Sequence, residues 1–109
     1  MAFEFTDFLE LKLLRAQYER LSEELHVRDP RKVGSAVRKL LNAIDRVKGT
    51  LSSLSLRKLI ETQERVGREL LAIIKFRYVL TFFFKSLFNR LVERLARLIS
   101  LTNSILSFS

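Results

Sequence analysis

At 109 residues, with one Pro, three Gly and a formal charge of +8, the chain has the length of a single small domain spanning 1–109, which buries only about two-thirds of its unfolded surface. Cysteine is absent, which excludes disulfides, thiolate zinc sites, iron–sulfur clusters and thiol nucleophiles. Apolar residues make up 48% of the chain and include nine Phe; so thin a core does not need them all, and part of that surface is expected to meet a second copy or a partner.

The chain opens Met1-Ala-Phe-Glu-Phe-Thr-Asp-Phe-Leu-Glu10, with acids where a secretory signal carries positive charge. The expectation is a cytoplasmic or particle-internal protein, not a secreted one. Few Gly, one Pro, no Cys or Trp and an excess of Arg over Lys suit a heat-stable protein. Leu11, Leu14, Tyr18, Leu21 and Leu25 recur three and four apart, which predicts an amphipathic helix over about 5–26. Asp29-Pro30 then reads as an N-cap followed by proline at the first helical position, where its missing N–H costs nothing. The second helix, about 30–48, has the seam Val33, Val37, Leu40, Ile44 and Val47. Gly49 stands where a left-handed terminating residue is expected, and Lys48 suits the negative end of the dipole.

Gly49-Thr-Leu-Ser-Ser-Leu-Ser55 is a turn in which Ser53 or Ser55 can cap a third helix. Its seam is Leu56, Leu59, Gln63, Val66, Leu70 and Ile73, with Glu61/Arg65 and Glu64/Arg68 as i,i+4 pairs. A further seam follows at Phe84, Phe88, Leu91, Leu95, Leu98, Thr102 and Ile105. Between Arg68 and Ser109 there is neither Gly nor Pro, so residues 54–107 read either as one helix of about 75 Å at 1.5 Å per residue or as a hairpin bending near Thr81 or Ser86–Asn89. The hairpin is preferred, because a small domain needs its helices to return and cover one another. The fold expected is all-α, a bundle of three to four helices that oligomerises.

The segment 70–88 holds twelve Leu, Ile, Val or Phe residues, which favour membrane insertion by roughly 4–7 kcal/mol, while Lys75 and Arg77 near its centre cost roughly 5–7 kcal/mol. Insertion is near neutral, and the aromatics read first as bundle core, then as an oligomer contact and last as a membrane contact, so a membrane is not among the partners expected. Phe82, Phe83, Phe84 and Phe88, with Leu98 and Ile105 from the uncharged C-terminal stretch, are the candidate self-association residues.

Residues 1–25 carry six acids and three bases, a net −3, and the remainder carries 17 bases and six acids, a net +11. Arg31 and Arg38, and Lys32, Lys39 and Arg46, recur every seven residues, and Arg90, Arg94 and Arg97 line the last helix. Such stripes suit phosphate backbones, bound by counterion release and without base readout. No zinc-finger, recognition-helix or aromatic-strand signature accompanies them. His26 has no acid and thiol beside it, Glu23-Glu24 lies on a solvated face, and Gly49-Thr-Leu-Ser lacks the Gly-Lys-Ser/Thr of a phosphate loop. No catalytic residue, metal site or cofactor is expected.

Glu64-Arg-Val-Gly-Arg-Glu-Leu-Leu-Ala-Ile-Ile-Lys-Phe-Arg77 is loosely similar to the helical domain of archaeal GINS replication subunits, without that family's proline-aromatic stretch and small β-domain. In size and charge the chain also resembles the helical, basic coat proteins of filamentous archaeal viruses. The first likeness implies a replication-type scaffolding subunit and the second a structural protein of virion kind, while the DNA-binding expectation, coat-like or architectural, rests on the basic stripes. Three functions therefore follow as expectations: a non-enzymatic protein binding nucleic acid through Arg31, Lys32, Arg38, Lys39, Arg46, Arg90, Arg94 and Arg97; a replication-type scaffolding subunit whose basic face meets an acidic protein; and a membrane-surface protein anchored by residues 70–99 as a basic amphipathic helix.

Overall fold

The computed structural model describes the backbone of residues 5–51 and 53–107 and the side chains of residues 11–51 and 53–105. Four helices follow one another: α1 (Phe5–Val27), α2 (Pro30–Val47), α3 (Leu54–Lys75) and α4 (Phe84–Ser107). Each packs on its neighbour in sequence and α1 closes the ring against α4, so α1/α3 and α2/α4 are the diagonals. Short connections force this up-down-up-down course. The molecule measures 47 × 22 × 19 Å.

The seams of α1 and α2 become the core, whereas in α3 and α4 the buried line passes through Ile60, Ile74, Val92 and Ile99, leaving Leu59, Ile73, Phe84, Leu98 and Ile105 half-buried. Leu11, Leu14, Tyr18, Leu21 and Leu25 of α1 and Val33, Val37, Leu40, Ile44 and Val47 of α2 are all buried. In α3 the buried set is Leu56, Ile60, Gln63, Val66, Leu70 and Ile74, and in α4 it is Phe88, Leu91, Val92, Leu95, Ile99 and Thr102. At the middle of the bundle Tyr18 Oη donates to Gln63 Oε1 at 2.7 Å across the α1/α3 diagonal. Gln63 Nε2 donates in turn to Thr102 Oγ1 and to Leu98 O at 3.3 Å, and Thr102 Oγ1 donates to Leu98 O at 2.9 Å. Three helices thus share one internally satisfied polar layer, and burial pushes the Tyr18 phenol up to about 12.

Asp29 caps α2 as expected, its Oδ1 accepting from Arg31 N at 3.0 Å. Ser53, not Ser55, caps α3, accepting from Leu56 N at 3.3 Å. The left-handed residue expected at Gly49 is found elsewhere, at Arg28 with φ 63°, where the chain must reverse between α1 and α2 within two residues. At Gly49 the reversal has six residues to use, and Thr50 N and Oγ1 both satisfy Val47 O, so no positive φ is needed. Lys48 does more than neutralise a helix end: its ammonium reaches Glu64 of α3 at 2.9 Å and Asp45 at 3.6 Å, and the Glu64 carboxylate holds it above the usual lysine range. Of the two expected i,i+4 pairs, Arg68–Glu64 forms at 3.6 Å.

The chain folds back between α3 and α4 at Phe76–Phe83, at the Thr81 alternative and not at Ser86–Asn89. Two successive turns make the bend: Val79 N and Leu80 N donate to Phe76 O, then Phe83 N and Phe84 N donate to Leu80 O. Such turns are built from right-handed conformations open to any residue, so neither Gly nor Pro is required. Where α2 meets α3 the backbones come close through Gly34 and Gly67; a Cβ on Gly67 would stand 3.3 Å from Val37 and Leu41.

Candidate functional site

On a 3.6-residue wheel the buried face of α2 points inward, and Arg31, Arg38 and Arg46 point away from it. All five bases of this helix, with Lys32 and Lys39, are exposed, and none forms an ion pair among the described residues. The stripe runs about 22 Å from Arg31 to Arg46 at 1.5 Å per residue. Lys32 and Lys39 lean toward α1, where they line an open groove with Arg20, Glu23 and Glu24. Acids offset the charge on that edge. Asp45, the acid on the other edge, is engaged by Lys48, so among the described residues Arg31, Arg38 and Arg46 carry the potential that no paired acid offsets.

Arg90, Arg94 and Arg97 are likewise exposed along α4. They do not extend the α2 stripe, because α2 and α4 occupy a diagonal of the bundle and make no contact among the described residues. The single surface the sequence suggested is two surfaces facing apart. The α4 stripe also contains Glu93, which approaches Arg28 at 3.9 Å, and Arg97 lines an open α1/α4 groove with Ser22, His26, Arg28 and Glu93.

The aromatic segment departs furthest from its expected role as core. Phe82 is 94% exposed, Val79 79%, Tyr78 77% and Phe83 69%. Phe76 is also exposed. Phe88, by contrast, is buried and stacks on the half-buried Phe84 with ring centroids 5.2 Å apart. Leu98 and Ile105 pack against the core from its margin. The self-association set is therefore split: Phe82 and Phe83 face outward, whereas Phe88 is already committed within the chain. The sequence signal for this split is the interleaving of Lys75, Arg77 and Lys85 with the aromatics, since charges at that spacing leave no continuous apolar face. Leu70, Ile74, Phe88, Leu91, Val92 and Leu95 of the segment 70–99 are spent on the core, so the apolar helical face of that segment is turned inward.

The cations of this end lie against the rings. Lys75 Nζ stands 5.6 Å from the Phe76 centroid and Arg77 Cζ 4.8 Å from that of Tyr78. Arg77 donates to Tyr78 Oη at 3.3 Å; that bond and the guanidinium charge hold the phenol below its usual range, with a smaller contribution from Arg31. The α1–α2 connection shares this end, where Arg28 Nη1 donates to Asn89 Oδ1 at 2.9 Å.

Among the described residues no group of three or more His, Cys, Asp or Glu side chains could hold a metal ion, and no helix is long and apolar enough to cross a membrane. Family models, curated proteins and solved structures were all compared with this chain, and none matches it.

Proposed function

We propose that the protein is a non-enzymatic helical structural protein, coat-like or architectural, that binds nucleic acid without sequence preference through α2. The observation that carries this reading is the row Arg31, Lys32, Arg38, Lys39 and Arg46, exposed on one helix and without ion pairs among the described residues. A rigid helix holds these cations at fixed spacing, so a phosphate backbone laid along it releases condensed counterions with little further ordering of the protein. Side chains on a smooth helical surface touch phosphates and not base edges, which makes the binding sequence-tolerant. The α4 row is a separate and weaker electrostatic face.

Salt titration of binding to random duplex DNA and to single-stranded RNA tests the proposal. Five phosphate contacts correspond to a log–log slope of about −4.5 on duplex DNA. Binding that ignores salt, or no binding at low salt, sinks it and redirects the search to an acidic protein that would meet the same face.

A further inference from the structure

We propose that the end of the bundle formed by Phe76–Phe83 is a docking tip for an anionic lipid bilayer, entering the interface with its aromatics while the helices stand away from the membrane. The proposal rests on residues other than those of the α2 stripe, save Arg31 at their meeting point. Phe76, Tyr78, Val79, Phe82 and Phe83 crowd their exposed side chains onto eight consecutive residues at the narrow end of a molecule 47 Å long and 22 × 19 Å across. The other large exposed apolar residues described, Leu13 and Val27 of α1, Leu54 of α3 and Leu101 of α4, are isolated in sequence, a pattern common on protein surfaces. Among the described residues, exposed aromatics cluster only at this end.

The chemistry around the cluster selects the occupant. No acid occurs between Glu69 and Glu93, while Lys75, Arg77, Lys85 and Arg90 do, and Arg31 comes from α2. Asp29, the acid of the neighbouring connection, is turned onto Arg31 N as a helix cap. The tip is thus apolar at its apex and cationic around its base, with Lys75 and Arg77 lying along the rings of Phe76 and Tyr78. A bilayer offers the complementary order: negative headgroups outside, hydrocarbon beneath. Aromatic side chains partition to that boundary, and the long stems of Lys and Arg keep their charges among the headgroups. A second copy of the chain fits poorly, because tip-to-tip pairing would bring Lys75, Arg77, Lys85 and Arg31 against their own images.

The full chain contains no Trp, so Phe82→Trp places one fluorescent reporter at the apex. Sedimentation with vesicles of phosphatidylcholine and phosphatidylserine mixed about two to one, against pure phosphatidylcholine, is expected to pull down the protein only with the anionic lipid. The Trp emission should shift blue and be quenched by lipids brominated on their acyl chains. The double variant Phe82→Ser/Phe83→Ser changes two exposed side chains and leaves the core untouched; it is expected to bind these vesicles at least tenfold more weakly while binding random DNA unchanged. Failure of the parent chain to sediment with anionic vesicles overturns the proposal. Equal binding by the double variant overturns it, as does vesicle binding without acyl-chain quenching, which would mark a purely electrostatic contact. A fall in molar mass by light scattering in the double variant, without any vesicle binding by the parent, would assign the tip to a second copy instead.

Discussion

Tyr18, Gln63 and Thr102 show what one residue can decide in this core. Each lies on an apolar seam at helical spacing, and that much is visible in the sequence; that the three side chains meet is not, because their positions lie 45 and 39 residues apart. Removing the phenol with Tyr18→Phe keeps the ring and its packing but leaves Gln63 Oε1 buried without its donor. Stability at neutral pH is expected to fall by about 1–2 kcal/mol, measured by urea unfolding. The same experiment repeated with rising pH separates the two proteins further. The folded phenol titrates at about 12 from an ordinary value of 10.0, so its contribution is fully present below pH 10 and is lost as pH rises toward 12. That loss amounts to about 2–3 kcal/mol at 1.36 kcal/mol per unit. Lysines also titrate in this window, but they are common to both proteins. The parent should lose stability more steeply than Tyr18→Phe above pH 10, and a constant difference up to pH 11.5 would mean that the phenol is not buried as described.

Helix identity was legible wherever apolar periodicity and caps coincided, as at Asp29-Pro30 and Ser53. Connections were less so. Arg28 adopts the left-handed conformation that composition assigned to Gly49, since conformational need follows the length of the connection and not the presence of a glycine. The aromatic bend between α3 and α4 left no Gly or Pro signal because its turns require none. Glycine instead serves the α2/α3 contact, and here two helices can be compared. A methyl at Gly34 meets Leu71 and Ile74 at an ordinary 3.8 Å, whereas at Gly67 it meets Val37 and Leu41 at 3.3 Å. Gly34→Ala should therefore raise stability by about 0.5–1 kcal/mol through helix propensity and a less flexible unfolded chain. Gly67→Ala should fall short of that gain, since Val37 and Leu41 must shift. Thermal unfolding of the two variants side by side checks the order, and an equal gain would show that α2 and α3 are less closely apposed.

For the molecule as a whole, the ring order of the helices is what sequence periodicity could not give. Heptad spacing identifies outward stripes on α2 and α4, but it contains no information on whether two helices are neighbours or diagonal partners, and here they are diagonal. A duplex lying along α2 leaves Arg90, Arg94 and Arg97 on the far side. This predicts an asymmetry between two equal charge changes. Arg31→Glu/Arg38→Glu/Arg46→Glu and Arg90→Glu/Arg94→Glu/Arg97→Glu each lower the formal charge of +8 by six, so long-range attraction to DNA falls by a similar amount in both. On the proposed α2 face, the α2 triple would remove counterion-releasing contacts and should flatten the salt slope by about 3, whereas the α4 triple should change it by less than about 1. All six arginines are exposed, and circular dichroism would verify that both triples keep the bundle. If the two triples flatten the slope alike, the attraction belongs to net charge and not to α2. If the α4 triple flattens it more, the nucleic-acid face lies on the opposite corner of the ring.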